Sequence, residues 1–155
     1  MELLSVKTIG NIDALKDLIP IVVDTFDVNP SDLANITDDN PTTASGVGTK
    51  VMEGGGIVGQ LTYDLGSSKN VIIGGKIDLY ASTGSMNLVI DVSDDNNTYI
   101  NGPINAFSIT QTSSSPKWIG YPYITRARYI RFRFTSGGAA NPGSVKIHQL
   151  TATQL

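Results

Sequence analysis

From Tyr129 to Phe134 the chain alternates strictly. Ile130, Phe132 and Phe134 fall on one face, and Tyr129, Arg131 and Arg133 on the other. Successive side chains of a β-strand point to opposite faces, so this pattern predicts a half-buried strand. Met86 to Val92 repeats it, with Leu88, Ile90 and Val92 set against Asn87, Val89 and Asp91. Ile57 to Leu65 offers Val58, Leu61, Tyr63 and Leu65 to a core. Val71 to Ile73 and Ile77 to Tyr80 are two more apolar runs, and Gly74-Gly75 between them suggests a bulge or bend. Ala106 to Thr110 and Ser144 to Thr151 complete the set. Turn residues separate these runs: Asn29-Pro30, Asp39-Asn40-Pro41, Gly54-Gly55-Gly56, Asp94 to Asn97, Ser113 to Pro116 and Gly137 to Gly143. Short strands spaced about 8–12 residues apart predict an all-β antiparallel sandwich or jelly roll.

Residues 1–29 read differently. Asn11 can cap a helix carrying Ile12, Leu15, Leu18 and Ile19 on one face, with Pro20 ending it. Two turns of helix need packing to persist. Ile19 to Val23 is alternatively a first edge strand. The expected division is an N-terminal arm over 1–29 and a sandwich domain over 30–155.

Length and charge narrow the function classes. The 155 residues suit one domain. There is no cysteine, which excludes disulfides and thiolate metal sites. Charged residues make up 16% of the chain, against about 25% in typical domains, as expected of strands and turns rather than charged helices. Net charge is −3, and Arg126, Arg128, Arg131 and Arg133 cluster without a basic run, so general nucleic-acid binding is not expected. The opening Met-Glu-Leu-Leu lacks the layout of a signal peptide, so synthesis in the cytoplasm is the expectation. No apolar run approaches the roughly 18 residues of a membrane-spanning helix.

Several segments fall in a familiar order. Leu33 to Thr43 resembles the "ala–x–x–thr–asp–gly–asn–x–x–thr" loop of discoidin-like (F5/8 type C, galactose-binding-like) domains. Leu61 to Gly66 is similar to that family's strand ending in Asp-Leu-Gly, and Val92 to Tyr99 to its "ser–x–asp–gly–x–x–trp" turn. Ala127 to Phe132 resembles its "ala–arg–tyr–ile–arg" strand, and Val145 to Leu150 its last strand. The resemblance covers about residues 30–152. It implies an eight-stranded jelly roll with binding loops at one end, and leaves the ligand open. Some members hold a structural calcium ion, for which Asp38, Asn40 and Thr43 are the candidate ligands here. This chain departs from that pattern, with Ala44-Ser45 after Thr43 and His148-Gln149 where an acidic residue is usual. Calcium needs six to eight oxygens. The alternative is an Asx turn in which Asp38 and Asn40 bond their own backbone, and no cofactor is otherwise expected.

Catalytic chemistry finds no support. His148 is the only histidine and lies in an expected strand, so neither a Ser-His-Asp set nor a zinc site can be assembled. Asp94-Asp95 reads as a solvated turn rather than a general acid/base pair. Gly54-Gly55-Gly56 lacks the Gly-Lys-Ser/Thr of a phosphate loop. The chain is therefore expected not to be an enzyme. Trp118, Tyr121 and Tyr123 precede the strongest strand as ligand-stacking, interface or simple core residues. Arg131 and Arg133 read as a solvated face paired with nearby carboxylates, or as a surface for an anionic partner.

Two functions fit. The first is a structural assembly protein, such as a phage capsid decoration or cement protein. It would reside in the virion, form a homo-oligomer and bind neighbouring subunits through its arm and loops. The second is a carbohydrate-binding module with a shallow glycan site formed by Asn40, Tyr99, Trp118, Tyr121 and Arg126.

Overall fold

The computed structural model describes residues 12–24, 33–38, 40, 42, 45–47, 56–81, 85–109, 117–120, 124–137 and 143–155. Among them eight strands form: β1 (Val22–Asp24), β2 (Ser45–Val47), β3 (Gly56–Ala81), β4 (Ser85–Ser93), β5 (Ile100–Ile109), β6 (Lys117–Gly120), β7 (Thr125–Gly137) and β8 (Gly143–Gln154). A 3-10 turn covers Ala34–Ile36. All pairings between these strands are antiparallel. The hydrogen-bonded order is β2-β8-β3-β7-β4-β5, with β1 and β6 also pairing with β3. No described helix is long and apolar enough to cross a membrane.

The two apolar runs expected at Val71 and Ile77 belong to the same strand as Ile57 to Leu65. The N-terminal half of β3 lies between β1 and β7, and its C-terminal half between β6 and β8. One strand therefore serves both faces of the sandwich. The pairing with β7 slips between Asp64 and Lys69. There Gly66 takes φ +78, which a glycine enters without steric cost. The corner is held by the Gly66 N–H donating to Asp64 Oδ1 (2.8 Å) and Lys69 Nζ donating to the Leu65 carbonyl (2.7 Å).

The core forms where the alternation places it. Leu61, Tyr63, Leu65, Leu88, Ile90, Ile130, Phe132 and Phe134 are buried, and Val92 is partly so. The side chain of Val58 lies outside the described set. Val71, Ile73, Ile77, Ile147, Leu150 and Ala152 meet these residues from the other face. Tyr63 packs edge-on against Phe132, with ring centroids 6.1 Å apart.

The helix expected after Asn11 is absent among the described residues, and a tight turn stands in its place. Asp13 Oδ1 accepts the N–H groups of Leu15 (3.0 Å) and Ala152 (2.8 Å), and Asp17 takes φ 58. A short polar side chain has thus competed with the helical backbone for its donors. Leu15 still reaches the core, at 0% exposure, while Ile12 and Ile19 face solvent. Thr37 Oγ1 donates to the Leu18 carbonyl (2.7 Å), which ties this turn to the 3-10 segment. Of the expected edge strand over Ile19 to Val23, only Val22 and Val23 are in a strand, β1, which extends to Asp24 and pairs with Gln60 to Thr62.

The bulge expected at Gly74-Gly75 falls two residues later. Gly74 and Gly75 pair regularly with Thr151 and Leu150, and the register shifts between Lys76 and Ile77. Gly75 has a different role. A Cβ there would lie 2.5 Å from the Gln149 carbonyl oxygen and 3.1 Å from Leu150 Cδ2. Gly75→Ala is expected to cost about 1–3 kcal/mol by overpacking, read from the urea midpoint. An unchanged midpoint would show that β8 can move aside.

The Tyr63 hydroxyl is buried and meets no hydrogen-bond partner among the described residues. Burial raises its pKa above the ordinary phenol value. Removing an unsatisfied buried donor while keeping the ring is expected to stabilise the fold, so Tyr63→Phe should raise the unfolding free energy by about 1 kcal/mol. A lower free energy for this variant would mean that the hydroxyl has a partner.

Candidate functional site

The turn between β4 and β5 is built from its own side chains. Ser93 Oγ accepts the N–H groups of Asp95 (3.2 Å) and Asn96 (3.1 Å) and donates to Asp95 Oδ1 (2.9 Å). Asp95 Oδ1 also accepts the N–H groups of Thr98 (2.8 Å) and Asn97 (2.9 Å). These donors, Thr98 first, then Asn97 and Ser93, pull the Asp95 carboxyl down to about 2. Asn96 takes φ 60, a left-handed conformation that Asn tolerates better than most residues. Its Oδ1 accepts the Tyr99 hydroxyl. Ser68 Oγ donates to Asp94 Oδ1, fastening the turn to the β3 corner.

An open cleft of about 260 Å³ sits against this turn, lined by Val92, Ser93, Asp94, Asp95, Thr98, Ile100 and Arg126. Arg126 arrives from β7, where it lies opposite Asn70 just past the β3 corner. The C-terminal end of β8 reaches the same corner, with the Leu155 N–H donating to the Asn70 carbonyl (3.0 Å). The lining combines carboxylate acceptors, a guanidinium donor and aliphatic surface, the last including Ile100 at 68% exposure.

The other three arginines are engaged within the fold. Asp91, on the outward face of β4, is 0% exposed because its neighbours cover it. Arg131 Nε (2.9 Å) and Arg133 Nη2 (3.0 Å) both donate to its carboxylate, and Arg133 Nε donates as well. The expected pairing of Arg131 and Arg133 with a nearby carboxylate is present, but the face is less solvated than expected, with the two side chains only 23% and 20% exposed. Arg128 makes a bidentate pair with Asp64, both bonds 3.0 Å, which lowers the Asp64 pKa. The Arg131 guanidinium also lies over the Tyr99 ring, 3.7 Å from its centroid.

The expected site residues do not all converge. Arg126 lines the cleft; Tyr99 is not part of the lining, although its chain neighbours Thr98 and Ile100 are. Asn40 belongs to a separate turn and is not part of this lining. The backbone of Trp118 lies in β6 opposite Lys76. Tyr121 and Tyr123 lie outside the described residues. Sequence reasoning did not nominate Val92, Ser93, Asp94, Asp95, Thr98 or Ile100 as site residues. Their signal was the Ser-x-Asp turn, which marked the fold but not a binding surface. Asp94 and Asp95 are turn residues as expected, and they also line the cleft.

Two of the candidate calcium ligands, Asp38 and Asn40, take part in turns. Asp38 Oδ1 accepts the Asn40 N–H (2.8 Å), and Asn40 Oδ1 accepts both the N–H (3.2 Å) and the hydroxyl (2.6 Å) of Thr42. These are the bonds of the Asx-turn reading. Thr43 lies outside the described residues. Among the described residues no three His, Asp or Glu side chains come together as metal ligands do.

No protein-family model matches the chain, and no curated protein matches it. Solved structures do. CpGH89CBM32-6, produced by Clostridium perfringens, aligns with a TM-score of 0.58 over 93% of this chain and 100% of that one, at 18% identity. Chitosan-binding module 2 from a chitosanase/glucanase of Paenibacillus sp. IK-5, solved in complex with chitotriose, also gives 0.58, over 91% and 99% at 13% identity. CpGH89CBM32-4 of Clostridium perfringens, in complex with GlcNAc-α-1,4-galactose, gives 0.55, over 92% and 94% at 16% identity. At such identities the likeness concerns the fold, and the fold is the discoidin-like jelly roll that the sequence motifs resemble.

The depressed Asp95 pKa carries a pH dependence. A carboxyl whose folded pKa lies below its unfolded value stabilises the fold above that unfolded value, and the contribution disappears as pH falls through the folded one. The turn is therefore expected to be fully held above pH about 4 and to loosen toward pH 2. Carboxyl titration by NMR should place the Asp95 midpoint near 2 rather than at the ordinary 3.8. A midpoint at the ordinary value would show that the Thr98, Asn97 and Ser93 bonds do not hold it.

Proposed function

We propose that this chain is a non-catalytic carbohydrate-binding module and that the cleft beside the β4–β5 turn takes the sugar. The observation that carries this reading is the lining of the cleft. A sugar presents hydroxyls that both donate and accept, together with patches of C–H surface. Asp94 and Asp95 supply acceptors, Arg126 supplies donors, and Val92 and Ile100 supply apolar contact. A site that is concave, partly apolar and furnished with a few convergent polar groups is the usual form of a small-ligand site. The fold supports the reading, since two of the similar modules were solved with oligosaccharides bound.

The alternative, a subunit-binding protein of an assembly such as a virion, has one feature on its side. Ile19, Ile21, Val22 and Val23 are exposed along and just before edge strand β1. Sedimentation separates the two readings: the module is a monomer that binds sugar, and the assembly protein is an oligomer that does not.

The direct test is titration of chitotriose and GlcNAc-α-1,4-galactose, followed by backbone NMR and calorimetry. Shifts are expected at Ser93 to Ile100 and at Arg126. Arg126→Ala is expected to weaken binding about tenfold with no change in melting temperature, as for loss of charge-assisted hydrogen bonds. No response to either sugar and no specific signal on a glycan array would overturn the proposal.

A further inference from the structure

Tyr99, an expected ligand contact, has one ring face and its hydroxyl engaged within the fold. Its ring is capped on one face by the Arg131 guanidinium at 3.7 Å, well inside the roughly 6 Å reach of a cation–π contact. Arg131 is itself fixed by the buried Asp91 carboxylate through Nε at 2.9 Å. Asp91 is held from a second side by Arg133. At its other end, Tyr99 donates its hydroxyl to Asn96 Oδ1, in the middle of the turn. Asn96 occupies the left-handed region at φ 60, uncommon outside glycine though one that Asn enters more readily than most residues.

We propose that Tyr99 and Arg131 are positioning residues for the cleft. Arg131 orients the Tyr99 ring, and the Tyr99 hydroxyl holds Asn96, so that Ser93, Asp94, Asp95 and Thr98 stand where they form the cleft wall. This rests on the reading of the cleft as the sugar site. It departs from the usual use of an aromatic ring at such a site, because Tyr99 acts through the turn and one of its faces is already occupied. The chain of contacts runs from a carboxylate that solvent does not reach to a wall that solvent does. The turn's backbone N–H groups are taken up by the Ser93 and Asp95 side chains, and Ser68 holds Asp94 from the β3 corner; the Tyr99 hydroxyl adds a tie to the Asn96 side chain.

Two variants test this. Tyr99→Phe keeps the ring over Arg131 and removes the hydroxyl, and Tyr99→Leu removes both. The readouts are amide hydrogen exchange and the Asp95 titration, taken on the full chain without sugar. In Tyr99→Phe the Asn97 and Thr98 amides are expected to exchange about fivefold faster, the ratio that one typical hydrogen bond corresponds to. The Asp95 midpoint should rise from about 2. Tyr99→Leu should change the same amides more. In both variants the amides of Ile130 and Phe132 should keep their original rates.

Unchanged exchange at Asn97 and Thr98 in both variants overturns the proposal. Equal acceleration at Ile130 and Phe132 also overturns it, because that is a general loss of stability rather than a loosened turn. Neither readout involves a glycan, so failure of the positioning role and failure of the sugar-binding reading are told apart.

Discussion

A strand of 26 residues cannot run flat through one sheet. Strands twist, and most end within about ten residues. β3 continues because the slip between Asp64 and Lys69, with Gly66 in the left-handed region, turns it from one face of the sandwich to the other. Its inward side survives the corner. Leu61, Tyr63 and Leu65 before it, and Val71, Ile73 and Ile77 after it, are all buried and all occupy odd positions. The same side of one strand therefore lines the core before and after the corner. Four other strands, β1, β6, β7 and β8, hydrogen-bond to this one, so the position of each is referred to the corner.

The cleft is a product of that corner. Ser68 holds Asp94 from it, and Asn70 brings Arg126 alongside. The electrostatics follow from the neighbouring strands. Arg131 and Arg133 share Asp91, and Arg128 pairs with Asp64. That leaves Arg126 as the exposed arginine of the four, and it is the one that lines the cleft. A cluster of cations that looks like one surface in the sequence is thus divided by the fold: Arg131 and Arg133 form a charge-paired layer over Asp91, Arg128 is paired with Asp64 but partly exposed, and Arg126 lines the cleft.

The core was legible because burial in a strand leaves a local trace, a period of two. Ile130, Phe132 and Phe134 could be placed from six consecutive residues. The β4–β5 turn was legible because Ser, Asp and Asn bond their own backbone. What escaped was non-local. Asp91 occupies an outward position by parity, and only the registry of β7 against β4 puts two arginines over it. Arg126 lies far along the chain from Asp94 and meets it only after β3 has bent. The turn after Ile12 misled for a local reason. Four apolar residues at helical spacing were outweighed by one aspartate that accepts backbone N–H groups from its own turn and from β8.

The irregularity between Lys76 and Ile77 also changes how the last strand is numbered. Ile73 faces Ala152 and Gly75 faces Leu150, but Ile77 faces Ile147. In a regular register, without the shift, Ile77 would face His148. The bulge thus gives the strand two parities: residue 147 is inward on one side of it, and 150 and 152 are inward on the other. An imidazole is displaced from a row of aliphatic side chains without any change in the order of the sequence. It follows that the tail of β8 is in phase with the core only when counted back from its C-terminal end, and that a one-residue indel beside His148 would carry a different meaning from one anywhere else in the strand.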